Sequence, residues 1–324
     1  MLSPDKSNNF MFILMIFLIV ASFAQLGIII MLGEPSMPSW FGLVITQVVY
    51  IGVPCAIYLI IHRKSIRQIL PMRKLGVKNI AMIVGMSIAL YPLVILLNFV
   101  TTLFFGSHLA ETMENMQYES GILIMLILFP ILPSIFEEVA MRGIIFSGFK
   151  KVKIFVAAII NGLFFGALHQ NFNQFSYAFV IGFIMCYMMY YTKSIWAPVL
   201  CHFVVNIMGI LIPYLLTRFV NTDALEETTQ VAGQSSYEWQ EYLFVFFGLA
   251  VFAAIAMGIF IIIYIAYKRH NLKRNNDEGV ITNTYMQAVE NGEAKPKALT
   301  GGFWGAMGLG LGWMLLIQWA MSMM

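Results

Sequence analysis

The sequence predicts an all-α integral membrane protein, a polytopic bundle of eight or nine transmembrane helices. Three observations carry that prediction: composition, the length of the apolar runs, and the placement of charge. Of 324 residues, 60% are hydrophobic and only 11% charged, which leaves too little polar surface to cover a soluble globule. Apolar runs suited to a hydrocarbon core of about 30 Å fall at 10–32, 41–61, 79–105, 121–147, 154–170, 174–192, 195–217, 242–267 and 302–324. The fifth is short.

Basic residues crowd into alternate loops, as the positive-inside rule requires. Lys6, the group Arg63, Lys64, Arg67, Arg73, Lys74 and Lys78, then Lys150, Lys151, Lys153 and Lys193, and finally Lys268, Arg269, Lys273, Arg274, Lys295 and Lys297 share one side, 17 of the 19 Lys and Arg. The other side carries Glu34, Glu111, Glu114, Glu119, Asp223, Glu226, Glu227, Glu238 and Glu241. The chain is therefore expected to be a multi-pass protein of the plasma (inner) membrane with a cytoplasmic N-terminus and, with nine spans, an external C-terminus. A net charge of +3 spread over membrane-flanking loops gives no reason to invoke nucleic acid.

Within the first run, Ser22-Phe23-Ala24 resembles a signal-peptide cleavage site. Asp5 offsets Lys6, however, and the run continues to Leu32, so it reads as a retained span. The first three spans, in 1–120, contain no charged residue in their interiors, whereas 121–217, with spans four to seven, holds every buried ionisable group. Residues 218–267 form an outer loop and the eighth helix. The stretch 268–300 is polar, Asn-rich and mixed in charge, and is expected to be a cytoplasmic linker that need not fold. The last segment, 301–324, spaces Gly301 from Gly305 and Gly308 from Gly312 by four, the pattern that lets helix backbones approach; it reads first as a poorly packed terminal helix whose glycines align by chance, with helix association within the protein or with a partner as the alternative. Cys55, Cys186 and Cys201 all lie in spans, where a thiol behaves as a small hydrophobe. They form neither a disulfide framework nor a metal pattern.

The chemistry concentrates in the middle spans. Glu137 and Glu138 sit side by side in LILFPILPSIFEEVAMRGIIF, with Arg142 following at helical spacing. Each ionisable group at such depth costs roughly 2.5–3.5 kcal/mol on insertion scales. Glu138 lies over Arg142, one turn away, and the two are expected to pair, while Glu137 points elsewhere and suits a general base in a cavity. Phe165 precedes His169 by four, so the ring packs on the imidazole. His202 and Asn206, also four apart, offer hydrogen bonds from one face to a developing oxyanion. Taken alone, any one of these sites is more often a polar helix-packing contact than a catalytic group; together that explanation weakens, because four polar sites fall on three of the four consecutive spans. Counted from the basic ends of their helices, Glu137, His169, His202 and Asn206 lie about 18, 24, 12 and 18 Å deep. The outlying His169 calls for a tilt, a kink or a displaced helix start, and Pro130 and Pro133 make the fourth span a place for such irregularity.

The three ordered motifs, Glu137-Glu138-x-x-x-Arg142, Phe165-x-x-x-His169 and His202-x-x-x-Asn206, resemble those of the CPBP family, the type II CAAX prenyl proteases and the bacteriocin-processing or immunity proteins of the Abi group. The resemblance covers about residues 121–210. It implies an intramembrane, glutamate-dependent endopeptidase in which Glu137 and His169 activate water, His202 and Asn206 bind the oxyanion, and Glu138, Arg142 and Phe165 give structural support. The partner would be a membrane protein or peptide substrate within the lipid bilayer, and no cofactor is expected. A zinc site from Glu137, His169 and His202 is the metal alternative, being a two-His-one-carboxylate set. Two other functions compete: a catalytically silent relative acting as a scaffold or immunity protein, and a proton-linked carrier in which Glu137 and the histidines titrate.

Overall fold

A computed structural model describes residues 3–32, 39–63, 66–106, 108–219 and 239–321. Among these there is no β-strand, and the elements are all helical. Helix α1 is Pro4–Leu32. Then α2 (Ser39–Val44), a π-helical segment π1 (Ile45–Gly52) and α3 (Val53–Ile61) run on from one another, followed by the short α4 (Ile66–Ile69) and the long α5 (Val77–Phe105). Helix α6 (His108–Glu138) breaks at Gly121, whose φ of 74° lies in the region that favours glycine, and passes at its end into a second π-helical segment, π2 (Val139–Ile145). The chain continues as α7 (Ile154–Leu168), α8 (Phe172–Thr192), α9 (Trp196–Phe219), α10 (Trp239–Asp277), α11 (Thr284–Glu290) and α12 (Gly301–Met321).

Among the described residues, eight helices are long and apolar enough to cross a membrane, Trp40–Ile61 and Gly121–Ile145 being two of them. The chain is an all-α polytopic membrane protein. The fifth predicted run differs: α7 has 15 residues, about 22 Å at 1.5 Å per residue, short of a core of about 30 Å. Outward-facing side chains such as Phe244, Ile262 and Ile30 are more than two-thirds exposed in the isolated chain. The bilayer is what covers such a surface, because lipid tails solvate apolar groups without cost.

Helices α7 and α8 meet through glycine. A Cβ placed on Gly162 would stand 2.7 Å from the Phe179 carbonyl oxygen, one on Gly166 2.9 Å from that of Phe175, and one on Gly182 3.0 Å from Cβ of Phe165. This contact sets where Phe165 and His169 lie. Gly162→Ala is accordingly expected to lower stability by about 1–3 kcal/mol, whereas Gly308→Ala is expected to be neutral or slightly stabilising, since nothing lies within 4 Å of its position. Thermal unfolding of both variants in detergent checks the contrast.

The C-terminal glycine pattern is only partly used. Of the four predicted positions, Gly305 packs closely, 2.7 Å from the Phe12 ring by the same measure, while Gly301, Gly308 and Gly312 have nothing within 4 Å. The close approaches of α12 instead come from Gly302 against Asn8 and Asn9, Gly305, and Gly310 against Met15 and Ala167. A four-residue spacing reports closeness on one helix, and the neighbour decides which face is buried.

The polar stretch 268–300, which by composition need not fold, is largely tied to the bundle. Residues 268–277 are the last turns of α10, and 284–290 form α11. Arg73 pairs with Glu278 at 2.5 Å and donates to Asn275 Oδ1 at 2.5 Å. Asn275 Nδ2 donates to the Tyr191 carbonyl, Lys193 Nζ to that of Thr282, and Thr284 Oγ1 to that of Lys150. Lys151 pairs with Glu293, and Asn8 Nδ2 donates to Ala298 O and Thr300 Oγ1. The polar residues that suggested solvation are used to clasp the basic end of the bundle. Burial there pushes the Lys193 ammonium down to about 8, with the nearby Lys150 and Arg73 charges adding to the effect.

Candidate active site

Two backbone irregularities place the polar residues. Pro133, inside α6, has no N–H to offer the carbonyl of Phe129 four residues back. Asn206 of α9 turns its Nδ2 to that carbonyl at 3.4 Å, joining the two helices. In π2, the Met141 carbonyl accepts from the Phe146 N–H and from Asn161 Nδ2 of α7 at 2.8 Å. The Asn161 Oδ1 in turn accepts from the Cys186 thiol of α8 at 3.2 Å. All three cysteines are free and buried.

Glu138 is the hub of a fully buried ion pair. Its Oε1 receives Arg142 Nη1 at 2.7 Å, with both side chains wholly shielded, and lies 2.9 Å from His202 Nδ1. An ionised carboxylate only accepts, so Nδ1 of His202 carries the hydrogen. The Arg142 guanidinium also stands 4.4 Å over the Phe165 ring, an arrangement that adds cation–π attraction. Phe165 meets both imidazoles edge-on, His169 at 5.0 Å and His202 at 5.5 Å between ring centroids. The expected Glu138–Arg142 and Phe165–His169 contacts are therefore both present.

Glu137, as expected, does not share Arg142. Its Oε1 accepts from Gln47 Nε2 of π1 at 2.8 Å. Gln47 is not among the residues the sequence singles out; the available signal is a lone carboxamide in a largely apolar run, without a motif around it. Asn161 was missed for the same reason. His169 sits just past the end of α7 with Nδ1 2.8 Å from the Phe165 carbonyl. Its neutral ring thus donates from Nδ1 and keeps Nε2 as an acceptor. Glu137, His202 and Arg142 all lie within electrostatic reach of that imidazole, so the depth mismatch does not separate His169 from the others. His202 and Asn206 remain on one helix but have different partners, Glu138 and the Phe129 carbonyl.

Several buried atoms here have no hydrogen-bond partner among the described residues: Glu137 Oε2, Glu138 Oε2, Gln47 Oε1, and Nε and Nη2 of Arg142. Buried polar groups in native proteins are normally paired, so the cluster presents unused capacity to a polar guest. Among the described residues, no group of three His, Cys, Asp or Glu is placed to hold a metal ion.

Residues 119–208 match the profile of the Rce1-like type II CAAX prenyl endopeptidases. Every candidate residue from Glu137 to Asn206 lies inside that stretch, and Gln47 lies outside it. Over 102 residues the chain is 28% identical to the YdiL protein of Bacillus subtilis (strain 168), named provisionally as a membrane peptidase. That similarity covers 31% of this chain and 42% of the relative, so the chain matches less than half the length of the curated protein. No solved structure matches significantly.

Proposed function

We propose that this protein is an intramembrane endopeptidase that hydrolyses a peptide bond of a membrane-associated protein or peptide. The observation that carries the proposal is the state of Glu137: a carboxylate 7% exposed, held by one oxygen, without a partner for the other among the described residues, and within electrostatic reach of the His169 imidazole. A buried acid fixed in this way suits proton abstraction rather than structural pairing. Water held between Glu137 Oε2 and His169 Nε2 gives its proton to Glu137 as its oxygen attacks the scissile carbonyl. Collapse of the tetrahedral intermediate breaks the C–N bond, and the proton held by Glu137 passes to the leaving amine.

Oxyanion stabilisation falls to His202 and Asn206. With Nδ1–H turned to Glu138, His202 donates to the oxyanion from Nε2 when that nitrogen takes up a proton during the reaction, and the Glu138 carboxylate is then its counter-charge. Asn206 Nδ2 has a second hydrogen beyond the one directed at Phe129. Prenylated CAAX termini appear in the name of the matching family; the chemistry of this site recognises a peptide carbonyl, and the proposal extends to membrane polypeptides generally.

The test uses membranes from a host deleted for this gene. Purified protein in liposomes is expected to generate new N-termini in them, read by mass spectrometry, and a wild-type protein that generates none removes the proposal. Exhaustive chelation is expected to leave the rate unchanged, because the proposed chemistry runs through the side chains of Glu137, His169, His202 and Asn206; activity abolished by chelation and restored by zinc would contradict it.

A further inference from the structure

We infer that Gln47 is a positioning residue for Glu137, its side-chain amide holding Oε1 so that Oε2 is presented in one direction to the reacting water. The inference rests on the hydrolase reading above and assigns a role to a residue outside the stretch that matches the family. The contact joins residues 90 positions apart in sequence at 2.8 Å, with Gln47 5% and Glu137 7% exposed. A carboxamide is costly to bury unless it is bonded. The Gln47 Oε1 has no protein partner, so the bond to Glu137 is what its side chain gains from the position.

The backbone is arranged around this contact. Gln47 lies in π1, and π-helical turns in α-helices are frequent at functional sites. One turn further on, Gly52 sits against Phe136, the residue preceding Glu137; a Cβ on Gly52 would be 2.8 Å from the Phe136 ring. The absence of a side chain there lets π1 approach the end of α6. Without the amide, the Glu137 carboxylate keeps no hydrogen bond among its described protein contacts and turns freely about its terminal torsion. Misplacement of a reacting group by about 1 Å costs on the order of 10²-fold in rate.

Gln47→Met keeps length and shape and removes the donor. With membranes from the deletion host as the probe, titrated against the reconstituted protein, the maximal rate of new N-terminus formation is expected to fall about 10- to 100-fold. The membrane concentration giving half-maximal rate and the melting temperature are expected to stay at wild-type values. Gln47→His, which returns an N–H donor of similar reach, is expected to recover part of the rate. An unchanged maximal rate for Gln47→Met overturns the inference alone, as does a loss matched by a lowered melting temperature without recovery in Gln47→His. No turnover by the wild-type protein overturns the hydrolase reading and the role of Gln47 with it.

Discussion

Glu137→Gln lowers the hydrolysis of membrane polypeptides by about 10²- to 10⁴-fold, the contribution expected of a positioned general base, while the protein still unfolds at the wild-type temperature. The two halves of this expectation have separate causes. Activity is lost because a carboxamide cannot take a proton from water at neutral pH. Stability is retained because Glu137 has no cationic partner to strand; its described bond is the one from Gln47 Nε2 to Oε1, and the carbonyl oxygen of a glutamine accepts that bond as well. The comparison needs equal amounts of folded protein and a count of new N-termini in the deletion-host membranes. Undiminished cleavage by Glu137→Gln would remove Glu137 from the role of general base.

Arg142→Met produces the opposite pattern, a large loss of stability. Arg142 and Glu138 are both completely shielded, 2.7 Å apart, and removing one partner of such a pair typically costs about 3–5 kcal/mol because the other charge remains uncompensated. The guanidinium also leaves the face of Phe165, where it stands 4.4 Å from the ring centre. The double variant Arg142→Met with Glu138→Gln is expected to regain much of the lost stability, since neither charge is then stranded. Denaturant unfolding in detergent gives the cycle. Equal losses in the single and double variants would mean that packing of the arginine stem, rather than its charge, holds the site together.

This asymmetry between neighbouring glutamates was legible in the sequence because it follows from helix geometry. Glu138 and Arg142 are one turn apart, as are Phe165 and His169, and each contact lies within a continuous run of chain. Even the π-helical segment that begins at Val139 leaves the first pair intact. The apolar runs were legible for a similar reason: a span is defined by its length and composition before it has neighbours. The fifth run, short already in the sequence, ends early, since α7 stops at Leu168 and the chain turns at His169 toward α8.

Contacts between distant helices had no such signature. Gln47 was one polar residue in an apolar run, and only the approach of π1 to the end of α6 made it the partner of Glu137. His202 was a donor of unspecified direction until Glu138 fixed its Nδ1. The glycine spacing that drew attention at the C-terminus also occurs at Gly162 and Gly166, where the backbone of α8 fills the space. Likewise, the polar stretch after residue 268 carried the composition of a solvated linker, and the carbonyls and carboxamides of other segments consumed its hydrogen bonds.

By itself the sequence determined that the chain spans a membrane by helices, which residues are polar within them, and which pairs share a face, because burial in lipid and a rise of 1.5 Å per residue act locally. The tertiary structure alone decided the partner of each polar group, the glycines that bring helices together, and the orientation of the Glu137 carboxylate. Those outcomes depend on short-range packing and hydrogen bonds between segments far apart in the chain, and such forces have no period that a linear sequence can display.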